Sequence, residues 1–356
     1  MSDVDNPTNS ESPTPQLDAL TQAAQLVALG RSIDALSLLE RLIEQDPASP
    51  QLYFLRAQAT QQAGGVLAAF VDVRAALALG RRIGMDLHPL QALSDRLRSE
   101  LSDEVPLLAV ARATTILRRL LFVEKLRAAE ELVESLLPHL GGYRPLLLLA
   151  SGLSKLRRAR TEQAIADFES AVEQQPSLWP ASYACGEALL QIQDLEGAAR
   201  AFDYTVEQRR TASAGFVLSE AEDFLSSLPG FSFVPHRFAF DHAGLLHSLG
   251  KSEEAIAVLD GLIQEEPDAA DAYLSKAVLL SSLSRWDAAL SSLKQAEETL
   301  RPDDRQSETD DPLERILRLR VEGLVALGRT DEAQALRDEL PRLLAQKPAD
   351  LTLEQP

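Results

Sequence analysis

Few groups in this 356-residue chain could do chemistry, and their spacing argues against most of what they could do. Gly250-Lys251-Ser252 has the ending of a phosphate-binding loop, which needs a further glycine five residues before Gly250 and a strand ahead of it. Leu245 stands at that glycine position, and the residues before it read as helix. Three of the five histidines, His236, His242 and His247, lie close together. Their spacings turn them to different sides of a helix, whereas a helical metal pair favours a spacing of four. Cys185 is the single cysteine, so no internal disulfide forms, and it reads as a small core residue. Adjacent carboxylates such as Glu253-Glu254 sit where a helix begins, and there they offset the helix dipole. No H-E-x-x-H, G-x-S-x-G, C-x-x-C or glycine-rich dinucleotide fingerprint occurs. No grouping of nucleophile, base and orienting residue is visible either. The sequence thus implies no catalytic residue, no metal ligand and no cofactor. An enzyme with a substrate held in a surface groove is the least favoured class.

Two features could instead recognise a partner. The net charge is −19, which argues against nucleic acid and anionic membranes as partners unless charge is segregated. Charge is in fact segregated, because residues 107–160 hold ten Lys and Arg against four Glu. This basic band comprises Arg112, Arg118, Arg119, Lys125, Arg127, Arg144, Lys155, Arg157, Arg158 and Arg160. A solvated face, or an internal partner for the acidic N-terminal tail, would explain it, and so would a docking site for an acidic peptide. The second feature is aromatic: six of the eleven phenylalanines fall between 216 and 240. Phe231 and Phe233 lie in LPGFSFVP, which has no helical period. Such a segment either packs onto neighbouring helices and seals a break between them, or presents anchors to a partner.

The elements that must position these groups are helices. In residues 236–269 a first apolar stripe runs through Phe238, Ala239, Ala243, Leu245, Leu246 and Leu249, and Gly250 follows it. Ser252 and two carboxylates open a second stripe of Ala255, Ile256, Leu259, Leu262 and Ile263, and Pro267 closes it. Neither helix could bury its stripe alone, so the pair must stack on others. The alanine that opens the second helix recurs at Ala35, Ala69, Ala129, Ala164, Ala198, Ala255, Ala289 and Ala333. The spacing predicts pairs over 16–83, 110–212 and 236–303, and a degenerate capping pair over 314–347. An acidic tail occupies 1–15 and a second tail 348–356. Three insertions separate the pairs: a helical one at 84–109, the Phe-rich one at 213–235 and an acidic loop at 304–313. No apolar run is long enough to span a bilayer, and the N-terminus carries no secretory pattern, so the default location is the cytoplasm.

Pair length, the helix–turn–helix layout and the small residues Ala243 and Ala255 at the close approach resemble the tetratricopeptide repeat, which recurs every 34 residues. The tryptophan and tyrosine of that family's first helix are replaced by Ala239 and Leu246. The resemblance implies an all-α, right-handed superhelical solenoid of antiparallel helix pairs. It implies a non-catalytic scaffold or adaptor that binds a protein or peptide of acidic and apolar character in a concave groove. The family's groove positions fall here on Arg118, on Leu146, Leu149, Leu153, Leu156 and Arg157, on Tyr183, Glu187 and Leu190, and on Arg237, Phe240 and His247. Arg158 extends the basic end. The family's carboxylate clamp needs a lysine where this chain has Leu20, Phe54, Leu149, Tyr183, Phe240 or Leu274, which argues against capture of a chaperone tail. The alternative is a structural subunit of a homo- or hetero-oligomer that docks through Phe231 and Phe233.

Overall fold

A computed structural model describes residues 15–102, 107–211, 215–226, 235–300 and 311–345. Among the described residues the fold is all-α, with no strand. The chain divides into two units, residues 1–232 and 233–356.

The first unit contains α1 (Pro15–Ala28), α2 (Ser32–Gln45), α3 (Pro50–Gln62), α4 (Val66–Gly80), α5 (His88–Ser99) and α6 (Leu107–Phe122). It continues with α7 (Leu126–Leu136), α8 (Arg144–Arg157), α9 (Thr161–Gln174), α10 (Trp179–Gln191), α11 (Leu195–Thr211) and α12 (Phe216–Ser226). The second unit contains α13 (Pro235–Ser248), α14 (Ser252–Glu265), α15 (Ala270–Ser282), α16 (Trp286–Thr299), α17 (Pro312–Ala326) and α18 (Thr330–Ala345). Within each unit the helices of a pair pack on each other and each pair packs on the next, with α6 following α4 across α5. Helix α5 packs on α4, and α12 packs on α8 and α10. The residues 227–234 and 301–310, with the expected Phe231–Phe233 docking segment and most of the acidic loop, lie outside the described residues.

Two physical constraints repeat along both units. The first is close approach within a pair. The eight alanines that open the second helices are all buried, at 0–1% exposure. Twelve residues ahead of six of them stands an alanine or glycine, and its size is matched by the residue four places after the opening alanine. At Gly152 an added Cβ would lie 2.4 Å from Phe168 Cε1, and at Gly186 one would lie 2.3 Å from Phe202 Cε1. Where the first position is alanine the second is smaller, as in Ala57 with Val73, Ala243 with Leu259 and Ala277 with Leu293, all buried. The packing volume is shared between two helices, so a glycine on one goes with a phenylalanine on the other.

The second constraint is the turn. Eight residues with left-handed φ, Gly30, Gly64, Glu124, Ala159, Gln193, Gly250, Ser284 and Gly328, each lie five residues before an opening alanine. The following amide donates back to a carbonyl in the last turn of the first helix, as Lys251 N does to Leu246 O at 2.9 Å and Arg160 N to Lys155 O at 2.9 Å. That is a Schellman closure, which satisfies carbonyls the helix leaves open. Four of the eight positions carry a Cβ, so strain is accepted where the closure demands it. Ala159→Gly should therefore stabilise the first unit by about 0.5–1 kcal/mol, the strain relieved less the extra backbone entropy. Gly250→Ala should destabilise the second unit by about 1 kcal/mol, through strain alone, because nothing lies within 4 Å of the added Cβ. Urea denaturation midpoints at constant slope check both, and the two signs must be opposite.

Candidate functional site

The most buried charges of the first unit anchor α6. Helix α4 is apolar nearly all round yet carries Asp72, at 0% exposure, and α3 carries Arg56 at 2%. Arg56 donates to Asp72 Oδ1 from Nη2 at 2.6 Å and from Nε at 3.1 Å, and to Glu40 Oε1 on α2 from Nη1 at 2.8 Å. Arg112 on α6 donates to the other oxygen, Asp72 Oδ2, at 2.8 Å. Arg119, two turns further along α6, lies 3.6 Å from Glu40 and 3.5 Å from Glu44. Burial works against the Arg56 charge, but Asp72 and Glu40 outweigh it and hold the guanidinium pKa above its ordinary value. Burial, before any charge, also pushes the Tyr53 phenol well above its ordinary value. Its hydroxyl donates to Pro47 O at 2.9 Å, and its ring lies 5.3 Å from the Arg56 guanidinium carbon. This network clips α6 to α2, α3 and α4.

The rest of the basic band is also engaged inside the chain. Glu130 on α7 accepts from Arg158 at 2.7 and 2.8 Å, from Arg160 at 2.8 Å and from the Ser154 hydroxyl at 3.2 Å. Arg157 donates to Leu121 O at 2.8 Å and Glu124 Oε1 at 2.7 Å, and Lys155 pairs with Asp167. Arg118 donates to Asp223 on α12 at 2.6 Å. Of the readings offered for the band, engagement inside the chain accounts for most of its members, although their partners are carboxylates of neighbouring helices and turns rather than of the N-terminal tail. Arg112, Arg119, Lys155, Arg157, Arg158 and Arg160 hold helices to one another, and Lys125, Arg127 and Arg144 are the members that stand exposed. The acidic partners lie tens of residues away in sequence, so no local pattern could have assigned them.

The expected groove residues divide into three groups. Leu149 and Leu153 on α8 are fully buried, and Tyr183 on α10 is 8% exposed and stacked on Phe202 with ring centroids 6.0 Å apart. They present almost no surface to a partner in this structure. Helix α12 packs on both α8 and α10, buries Ala221, Phe224 and Leu225, and sets Phe216 edge-on to Tyr143 at 6.3 Å. In the second unit Arg237 is exposed and 3.6 Å from Asp241. Phe240 is half-buried against a core of Ala239, Leu262, Ala269 and Ala272. His247 is exposed, with Nδ1 2.9 Å from the Ser252 hydroxyl at the start of α14. His242 is fully buried and stacked on Phe238 at 5.8 Å. Phe231, Phe233 and the His236 side chain lie outside the described residues.

A concave opening does occur, but on earlier helices. A pocket of about 620 Å³ is bounded by Ala24, Val27 and Ala28 of α1, by Phe54, Leu55, Gln58, Gln61 and Gln62 of α3, and by Pro89, Ala92, Leu93 and Arg96 of α5. Gln58 on α3 stands at the register of Arg118 on α6 and Leu153 on α8, eleven residues before the opening alanine. Phe54 stands at the register of Leu149 and Tyr183. That register is open at Phe54 on α3 and buried at Leu149 on α8, Tyr183 on α10 and Leu274 on α15. Among the described residues no group of three or more His, Cys, Asp and Glu could hold a metal ion. Burial and then Glu169 push the Cys185 thiol up to about 12, which leaves it a poor nucleophile. No helix among the described residues is long and apolar enough to cross a membrane.

Residues 149–213 and 240–305 match the family model for the tetratricopeptide repeat, so these two stretches of the repeating helix pairs carry that repeat. Among solved structures, MamA from Desulfovibrio magneticus RS-1, residue 41 to its end, is 14% identical, with a TM-score of 0.38 over 58% of this chain and 98% of that one. YrrB, a tetratricopeptide protein described as having an unusual peptide-binding site, is 12% identical, with a TM-score of 0.41 over 60% and 93%. The C-terminal part of a tetratricopeptide-repeat protein from Cytophaga hutchinsonii is 10% identical, with a TM-score of 0.43 over 94% and 96%. No curated protein sequence matches the chain.

The Arg56–Asp72 pair sets a quantitative expectation. Asp72→Ala should cost the first unit about 3–5 kcal/mol, because it strands Arg56 in the core. Replacing both, with Arg56→Met and Asp72→Leu, should cost clearly less than the single change. Urea denaturation of the three chains measures this, and equal losses would show that burial of charge is not the dominant factor.

Proposed function

We propose that this protein is a non-catalytic interaction scaffold that takes a peptide or helix of a partner protein along the open register face of α1 and α3. The observation that supports this reading is the 620 Å³ groove, whose lining has the chemistry of a peptide site. Phe54 and Leu55 are half-buried and offer an apolar seat. Gln58, Gln61 and Gln62 offer amides that can donate and accept along a peptide. Arg96 at the α5 edge supplies one cation for a carboxylate. Apolar seating with a few fixed polar groups is the usual composition of a helix-in-groove interface.

Selection from a random peptide display library on the full chain tests the proposal. Enriched peptides should share apolar residues at helical spacing and one carboxylate. Their affinity should fall by about tenfold or more on Phe54→Ala, the loss expected for an aromatic anchor. It should fall further on adding Arg96→Glu. Enriched peptides that bind both variants as well as the wild type would place recognition elsewhere.

A further inference from the structure

We propose that α12 is an internal ligand, bound to its own chain on the face that α8 and α10 present, and that an acidic amphipathic helix from a partner protein displaces it. This rests on the scaffold reading but concerns a different face of the first unit. The register position that lines the open groove at Phe54 recurs at Leu149 on α8 and Tyr183 on α10. Those two residues are 0% and 8% exposed, and α12 packs on both helices. Asp223 of α12 also reaches Arg118, which stands at the register of Gln58 in the open groove, so the chain already holds a helix of its own beside that register.

The way α12 is held suits a reversible contact. It has eleven residues, a length at which a helix is marginal without a surface to lie on. It buries three side chains, Ala221, Phe224 and Leu225, against nine residues buried by α10. These three fall at i, i+3 and i+4 and form one stripe. Glu222 and Asp223 are on the exposed side, and Asp223 makes the ion pair with Arg118. Both partners of that pair retain access to water, Arg118 at 30% and Asp223 at 54%, unlike the sealed Arg56–Asp72 pair. Its contribution is steering and register rather than tight holding. Removal of α12 would leave the surface it covers on α8 and α10 beside the Arg118 cation, a surface that calls for another helix of the same kind. The chemistry of the competitor follows from α12 itself: an aromatic and a leucine side by side on the stripe, a small residue one turn earlier, and a carboxylate next to the aromatic.

The test uses the full chain and a labelled synthetic peptide with the sequence of residues 215–226. Glu222→Pro breaks α12 from its exposed side and removes no buried side chain. An occupied site lowers apparent affinity by its open fraction, so the peptide should bind Glu222→Pro about tenfold or more tighter than wild type. Adding Arg118→Asp should remove that gain, and a peptide with arginine in place of Asp223 should restore it. Hydrogen exchange on the wild-type chain should show α12 amides exchanging faster than those of α8 and α10. The proposal is overturned if Glu222→Pro gains no peptide affinity, if it collapses the cooperative unfolding of the first unit, or if α12 exchanges no faster than α8 and α10. Phe54→Ala separates the two readings. Peptide affinity lost on Phe54→Ala but indifferent to Arg118 would put the peptide in the open groove, which overturns α12 as an internal ligand and supports the scaffold reading.

Discussion

A carboxylate with no access to water, Asp72, decides how the first half of this chain can be put together. Two guanidinium groups from different helices meet it, and each of its oxygens has a partner. The Coulombic gain of such a contact only offsets the loss of hydration when geometry is good and every lone pair is used. Helices α3, α4 and α6 must therefore meet in one register, since a slip by a residue would leave a charge alone in the core. Apolar packing tolerates many arrangements of similar volume, whereas this cluster admits few. The first repeats and the basic stretch after α5 are fixed to each other by that cluster, and α6 in turn carries Arg118 to where α12 meets it.

The repeat was legible in the sequence because its constraints are local. Close helix approach needs a small residue, and a left-handed closure needs a turn at a set distance before it. Both demands recur with the repeat and print a periodic mark, the alanine series from Ala35 to Ala333. The extra helices were also visible as helices, since the stretch after Asp86 and the SEAEDFL stretch after Leu218 have apolar residues at helical spacing. What they pack against was not visible, because α12 meets α8 and α10 across a gap in sequence that no short pattern spans.

The basic band shows the same limit from the charge side. Ten cations in one stretch read as a surface feature when their counterions are distant. Asp72 and Glu40 lie in earlier repeats, and Glu130 looks like an ordinary member of an amphipathic helix. One signal was available: Asp72 interrupts a strongly apolar helix, and a charge in such a place needs a partner. The burial of Leu149, Leu153 and Tyr183, which the family pattern places in its groove, was not visible in the sequence for a related reason. The pattern assigns positions along one helix, and which of them a neighbouring helix covers is set by packing that one helix's sequence does not state.

The spacing of the turns carries one more consequence. Every interval that departs from 34 or 35 residues does so between the second helix of one pair and the first helix of the next, after α4, α11 and α16. None falls inside a pair, where the left-handed residue and the opening alanine keep their five-residue distance in all eight cases. The polypeptide is thus a series of hairpins of fixed length separated by joints of variable length. New length, and with it new recognition surface, enters this architecture at the joints, while the hairpins between them are copied without change.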